Sequence, residues 1–363
     1  MRIHMTALIL VLLSGAASAW ADLPEYSAKT VQSYLEQLST QLAGRPLSEE
    51  EVARIGQLRS KAIEPILTEW IYGGYFPRSA KIMIQTQLAS SGTNSGIDYD
   101  LPGNLAKYLA RNDLAYSKII TADYCVDSEM NRIGCDTGAP YTAGLLTTRA
   151  YLRINQGRFN LGRANKMLRY FACKEYPLDT VLQPPLAKRR LIPLFQTEKA
   201  VAGADFGNGL ACYTCHSQFG AHAQLFVKFD EMGVWRGGAS GIQDPALEAG
   251  RSFNDMYASH MNDPAESASE RSQMFGKEVA NLAEAAKQLA ATDMFLECAT
   301  RNALRYFLRM TDSEAAVVDI ALLRSIVARV KKVSKDPSLN QILFEALMHP
   351  VVIESVLSSG ERR

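Results

Sequence analysis

Apolar residues along this chain recur every three to four positions, and the two-residue alternation of a half-buried strand is nearly absent. Val31, Leu35, Leu38 and Leu42 fall on one helical face, Gly44-Arg45-Pro46 ends that helix, and Ser48 with Glu51 forms a capping box for the next. Pro102 can start a helix carrying Leu105, Tyr108 and Leu109, and the stretches Leu145 to Leu152 and Ala164 to Phe171 read as further helices. From Tyr176 to Gln196 the rhythm stops, because Pro177, Pro184, Pro185 and Pro193 interrupt any regular element, which predicts a long connector. A glycine-rich stretch, Gly233 to Gly241, is the second irregular segment. Beyond Glu266 the pattern is helical again. Ala316, Ile320, Leu323, Val327 and Val330 form a stripe behind a Thr311/Glu314 capping box, and Asp336-Pro337 opens a last helix bearing Leu339, Leu343 and Leu347. So short a stripe favours a core-facing helix over a coiled-coil seam.

The first residues differ in texture. Arg2 and His4 precede an apolar run from Ala7 to Leu13, and small residues follow at Ala16, Ala17, Ser18 and Ala19, which is the layout of a secretory signal peptide over residues 1–21. Cleavage after Ala19 or Ala21 leaves no cysteine at the new terminus to carry a lipid. The apolar core is short for a spanning helix, and no later segment reaches spanning length, so the mature chain is expected to be periplasmic or secreted with no transmembrane segment. The whole chain of 363 residues carries 39 basic and 38 acidic side chains; removing Arg2 leaves 38 against 38. That neutrality gives no footprint for nucleic acid or a membrane surface. The local run Lys188-Arg189-Arg190 reads as a solvated loop.

Chemistry is concentrated in Cys212-Tyr213-Thr214-Cys215-His216. The spacing is that of covalent haem c attachment: two cysteines form thioethers with the two vinyl groups on one edge of the porphyrin, and the adjoining histidine ligates the iron from one face. Export fits, since bacterial haem c attachment takes place outside the cytoplasm. A zinc site lacks a second ligand pair at suitable spacing, a thioredoxin-like pair lacks its strand-helix-strand setting, and a plain disulfide is the third alternative.

Together with this motif, Leu42-Ala43-Gly44-Arg45-Pro46-Leu47-Ser48, Ile120-Thr121-Ala122-Asp123-Tyr124, Gly144-Leu145-Leu146-Thr147-Thr148, Phe229 to Arg236 and Cys298 to Met310 resemble the cytochrome c-like proteins of unassigned function abundant in planctomycetes and myxobacteria. After the haem motif this chain has Phe219-Gly220-Ala221-His222 where similar proteins often have Asp-Pro-Leu-Gly, so the pocket beside the haem is expected to differ. The resemblance implies a haem module lying between helical segments, and a periplasmic or surface haem protein without implying a reaction. The fold expected is mainly α and multi-helical: an N-terminal helical unit over 22–140, a cytochrome c-like haem module over 141–245 and a C-terminal helical unit over 246–363.

The iron's sixth position separates the functional classes. A Met or His there suits electron transfer to and from a periplasmic redox partner, whereas an open position admits peroxidase or oxygenase chemistry, and a non-catalytic haem-bearing scaffold is a third class. His222 lies only six residues beyond His216, about 9 Å along a continuing helix and on the proximal side. Met256, His260 and Met261 are far enough along to cross to the other face, with His260 the preferred distal candidate. No distal catalytic group is recognisable, so the electron carrier is the reading adopted. Arg236, beside Trp235, is a candidate partner for a haem propionate or a plain surface residue. Of the four cysteines outside the motif, Cys125 and Cys135 flank a polar loop and are expected to pair, leaving Cys173 with Cys298; the alternative for the latter two is buried free thiols.

Overall fold

The computed structural model describes residues 23–88, 91–157, 160–187, 190–191, 210–236, 269–311, 314 and 318–360, with the backbone alone at 210–212 and 358–360. It is mainly helical. The described α-helices are α1 (Ala28–Leu42), α2 (Glu49–Leu58), α3 (Ile63–Ile71), α4 (Phe76–Leu88), α5 (Leu101–Arg111), α6 (Lys118–Thr121), α7 (Arg149–Ile154), α8 (Leu161–Phe171), α9 (Leu210–Ala223), α10 (Leu282–Ala290), α11 (Asp293–Phe307), α12 (Ile320–Val333), α13 (Leu339–Leu347) and α14 (Pro350–Gly360). The described strands form three antiparallel hairpins: β1 (Thr93–Asn94) with β2 (Ile97–Asp98), β3 (Cys125–Val126) with β4 (Arg132–Ile133), and β5 (Ser272–Met274) with β6 (Lys277–Val279). No helix among the described residues is long and apolar enough to cross a membrane.

The N-terminal helices form where caps and stripes called for them. Val31, Leu35, Leu38 and Leu42 are buried along α1, and Gly44 turns the chain away at φ +72°. At the start of α2, Ser48 accepts from the Glu51 N–H while Glu51 accepts from the Ser48 N–H. The same carboxylate takes both terminal nitrogens of Arg45, at 2.7 and 2.8 Å, and the Trp70 indole N–H at 2.7 Å. Burial pushes the Glu51 pKa upward, but these donors together overcome it and hold the group at about 2. The Leu42–Ser48 turn is thereby fixed to α3.

Two other stretches meet directly. The Gly144 N–H donates to Ala122 O at 2.9 Å, and the Leu145 N–H donates to Ile119 O at 2.9 Å. Gly144 has φ +49°, and a Cβ there would collide with the Ile119 carbonyl oxygen. This pairing occupies Leu145 to Thr148 as a buried turn. The helix expected from Leu145 therefore starts at Arg149, where the Thr148 hydroxyl caps the Tyr151 N–H.

The C-terminal pattern departs from expectation in two places. Thr311 and Glu314 do exchange their reciprocal bonds, at 2.7 and 3.2 Å, but α12 begins only at Ile320 with its own cap, Asp319. The phase of the expected stripe holds: Leu323, Val327 and Val330 are buried, joined by Ile326, while Ile320, at the first turn, is 42% exposed. Ala316 lies outside the described residues. Ser338 and Gln341 form a capping box for α13, where Leu339, Leu343 and Leu347 are buried, but α13 is followed by one more helix, α14. One contiguous cluster of buried side chains runs from Val31 in α1 to Val356 in α14 and takes residues from all three expected segments.

Cys125 is bonded to Cys135 and Cys173 to Cys298, with Cα separations of 5.0 and 5.2 Å. The first closes the β3–β4 hairpin, and the second ties the end of α8 to α11. Both follow the expected pairing. Loop-closure entropy grows with the logarithm of the bridged length, so the span of 10 residues contributes about 3 kcal/mol and the span of 125 about 5 kcal/mol. Urea unfolding should show Cys173→Ser/Cys298→Ser to be destabilised more than Cys125→Ser/Cys135→Ser, and equal midpoints would contradict this account.

Candidate haem-attachment site

The pentapeptide lies in the first half of α9, a helix that packs on α8 and on the β5–β6 hairpin. Helical spacing sets Cys212, Cys215, His216 and Phe219 in one stripe, at i, i+3, i+4 and i+7. Ser217 and Ala221 lie on the opposite side and Gln218 and His222 on the flank that runs past Cys215, all four buried, whereas Cys215, His216 and Phe219 are half-buried. The anchoring flank therefore borders the chemical stripe, His222 standing seven residues beyond Cys215.

Anchoring is polar. Gln218 accepts the Leu178 N–H at 2.7 Å and donates to Leu178 O at 2.9 Å and Gln183 O at 2.8 Å, satisfying both ends of its amide. The Leu186 N–H donates to Ser217 O at 2.9 Å and the Tyr213 hydroxyl donates to Leu186 O at 2.8 Å. These bonds lash the described part of the proline-rich connector, residues 176–187, along α9. On the other flank, the Ser272 hydroxyl donates to Ala221 O.

His222 is fully buried with both ring nitrogens engaged. Gln183 Nε2 donates to Pro184 O at 3.3 Å, which turns its Oε1 toward His222 Nε2 at 3.1 Å. Nε2 therefore carries the proton, and Nδ1 accepts from the Tyr176 hydroxyl. Burial drives the His222 pKa down to about 3, so the ring is neutral at physiological pH. Its lone pair is committed, and the histidine serves the connector, not a metal. The Tyr176 ring lies 3.7 Å centroid to centroid from Phe219, whose ring is 6.0 Å from that of His216. Sequence periodicity carried no signal for Tyr176, Gln183 or Gln218, which are joined by side-chain bonds across an irregular connector.

The segment Phe229 to Arg236 forms a tight turn in which Asp230 Oδ1 accepts the Met232 and Val234 N–H groups at 2.9 and 2.8 Å. Gly233, at φ +73°, passes against Leu152 and Arg149 of α7. Arg236 pairs with Asp230 Oδ2 at 2.9 Å and is largely exposed, an assignment that accounts for it within its own turn. Trp235 meets Phe229 and Tyr141 edge to face, and the Tyr141 hydroxyl donates at 2.9 Å to Glu270. Burial raises the Glu270 pKa to about 7, Tyr141 and Lys228 opposing it. This near-neutral carboxyl had no sequence signature.

Met256, His260 and Met261 lie outside the described residues, as does the Cys212 side chain. The residues that are described fit a haem. His216 is half-buried with its pKa lowered by burial, so its imidazole is neutral and able to ligate. Cys215 is outside either disulfide, and the four remaining cysteines pair among themselves. Phe219 extends the stripe with an apolar ring beside His216. Among the described residues no three His, Cys, Asp or Glu side chains group as a metal cage; a haem asks the protein for at most two iron ligands. No family model, curated protein or solved structure matches the chain.

The His222 network has a pH signature. Above pH 6.5 the ring is neutral folded or unfolded; below it the unfolded chain takes up a proton that the folded one refuses until about pH 3. Stability therefore falls as pH drops through that window, with a slope from this group approaching about 1.4 kcal/mol per pH unit. In His222→Gln the acid limb of a stability–pH profile should flatten by up to one proton; an unchanged slope would refute the buried neutral ring.

Proposed function

We propose that the chain is a single-haem c-type cytochrome of the periplasm, holding its haem by thioethers to Cys212 and Cys215 with His216 as an axial ligand, and exchanging electrons with a periplasmic redox protein. The observation that carries the reading is the division of α9. The attachment triplet shares one helical stripe with Phe219, while the flank beside that stripe is bound down by Gln218 and His222. A bound haem c supplies a one-electron couple. The protein's part is to hold the His216 ring neutral and oriented, to shield one edge with Phe219 and Tyr176, and to keep the second nearby imidazole, His222, away from the iron. Two cystine bonds fit an oxidising compartment, as export through a signal peptide over residues 1–21 requires.

Expressed with the haem c attachment machinery, the purified chain should retain one haem mass after denaturation. Cys212→Ser/Cys215→Ser should lose the covalent link, and His216→Ala should keep it with altered iron ligation in the optical spectrum. The reduced protein should be low-spin and resist carbon monoxide. Haem that leaves on acid-acetone extraction would overturn attachment, whereas rapid carbon monoxide binding or peroxide turnover would overturn the carrier role and favour a haem enzyme.

A further inference from the structure

Away from α9, a cleft of about 410 Å³ opens between the end of α10, the start of α11, the end of α12 and the turn before α13, with α6 along one side. Lys287, Lys331 and Lys335 all line it. Lysines near helix C-termini are individually favourable with the helix dipole, which accounts for Lys287 and Lys331 one at a time. It does not account for three ammonium groups sharing one concavity, where they repel. Only Lys331 is neutralised, by Asp293. Asp336, the acidic residue of the lining, accepts from the Ser117 hydroxyl at 2.9 Å. The Lys287 and Lys335 side chains have no carboxylate partner among the described residues.

The other polar groups of the cleft narrow the ligand. Thr121 donates its hydroxyl proton to Ser117 O at 3.0 Å, Thr292 donates to Leu289 O at 2.7 Å, and Ser117 donates to Asp336. Their protons are committed, so the ammonium groups are the side-chain donors left for a ligand, and the hydroxyl oxygens remain as acceptors. Buried Leu296 and Pro337 give an apolar floor. The volume falls in the range of small-molecule sites, about 300 to 1,000 Å³.

We propose that this cleft binds a small polyanion: a molecule bearing at least two carboxylate or phosphate groups that bridge Lys287 and Lys335, with any hydroxyl it carries able to donate to Thr121. The site is separate from the haem reading and does not depend on it.

Isothermal titration calorimetry at fixed ionic strength and neutral pH tests it, with citrate, pyrophosphate and acetate as probes. One-site saturable binding of citrate or pyrophosphate, with acetate silent, is expected; the tighter of the two identifies carboxylate or phosphate as the preferred source. Lys287→Gln/Lys335→Gln should weaken that binding by about tenfold or more, and Lys61→Gln, at an exposed lysine elsewhere, should leave it unchanged. Both cleft lysines are exposed, so the double variant should keep the wild-type thermal midpoint without ligand. The absence of saturable binding by either polyanion, or equal loss in Lys61→Gln, would overturn the proposal.

Discussion

The guanidinium of Arg163 has no water to turn to. It is completely buried on α8, and it donates to Leu152 O at 2.9 Å, Asn160 Oδ1 at 2.9 Å, Phe229 O at 2.8 Å and Asp230 O at 2.6 Å. Burial lowers its pKa to about 10, opposed by Asp230 and Tyr151, so it is still charged at neutral pH. A buried cation is tolerated only when its donors are satisfied, and these acceptors come from the end of α7, the residue before α8 and the Phe229–Arg236 turn. The junction of α7 with α8 and the Phe229–Arg236 turn, 66 residues apart at the Arg163–Phe229 bond, are thereby held in one arrangement. Because α8 also packs on α9 and leads to Cys173, the position of α9 depends on this charge.

Polar groups also decide how α9 sits. An apolar back would slide or rotate at little cost, whereas a buried glutamine with three satisfied bonds accepts one register and penalises the others through groups left unpaired. Gln218, with Ser217 and His222, therefore sets the rotation of the helix and so the direction of the Cys215–His216 stripe. Aromatic rings complete the arrangement, Tyr176 serving both the His222 bond and the contact with Phe219.

Much of the helical layout could be read along the chain, because caps and stripes are local. Val31 to Leu42, the Ser48/Glu51 box and Leu339 to Leu347 are cases in which residues within four positions of one another specify the element. Errors arose where a distant contact overrode local preference. The backbone pairing of Gly144 and Leu145 with Ala122 and Ile119 displaced the start of α7; the helix read through from Thr311 begins instead at Ile320, behind a local cap, Asp319. The cysteine pairing was readable because Cys125 and Cys135 flank a short polar loop, which leaves Cys173 and Cys298 for each other once the motif cysteines are set aside. Cys212, Cys215 and His216 stood out as a candidate site because haem c chemistry demands one spacing. Its support did not, for Tyr176, Gln183 and Gln218 act through bonds that carry no period, and the cleft lysines come from two helices and a turn.

The Cys173–Cys298 bond has a topological consequence. It turns everything from residue 173 to residue 298 into a closed covalent ring, with α9 and its attachment triplet inside and the N-terminal and C-terminal helices as two tails leaving the same knot point. A single backbone cut anywhere within the ring opens it without separating the tails, so a nicked molecule keeps its full mass until a reductant is added. Once the molecule is unfolded without reductant, a cut in either tail releases a fragment, except between Cys125 and Cys135, where the second bridge holds the pieces together. The stretch that contains Cys212 to His216 thus tolerates a single scission without separation of the two ends of the chain.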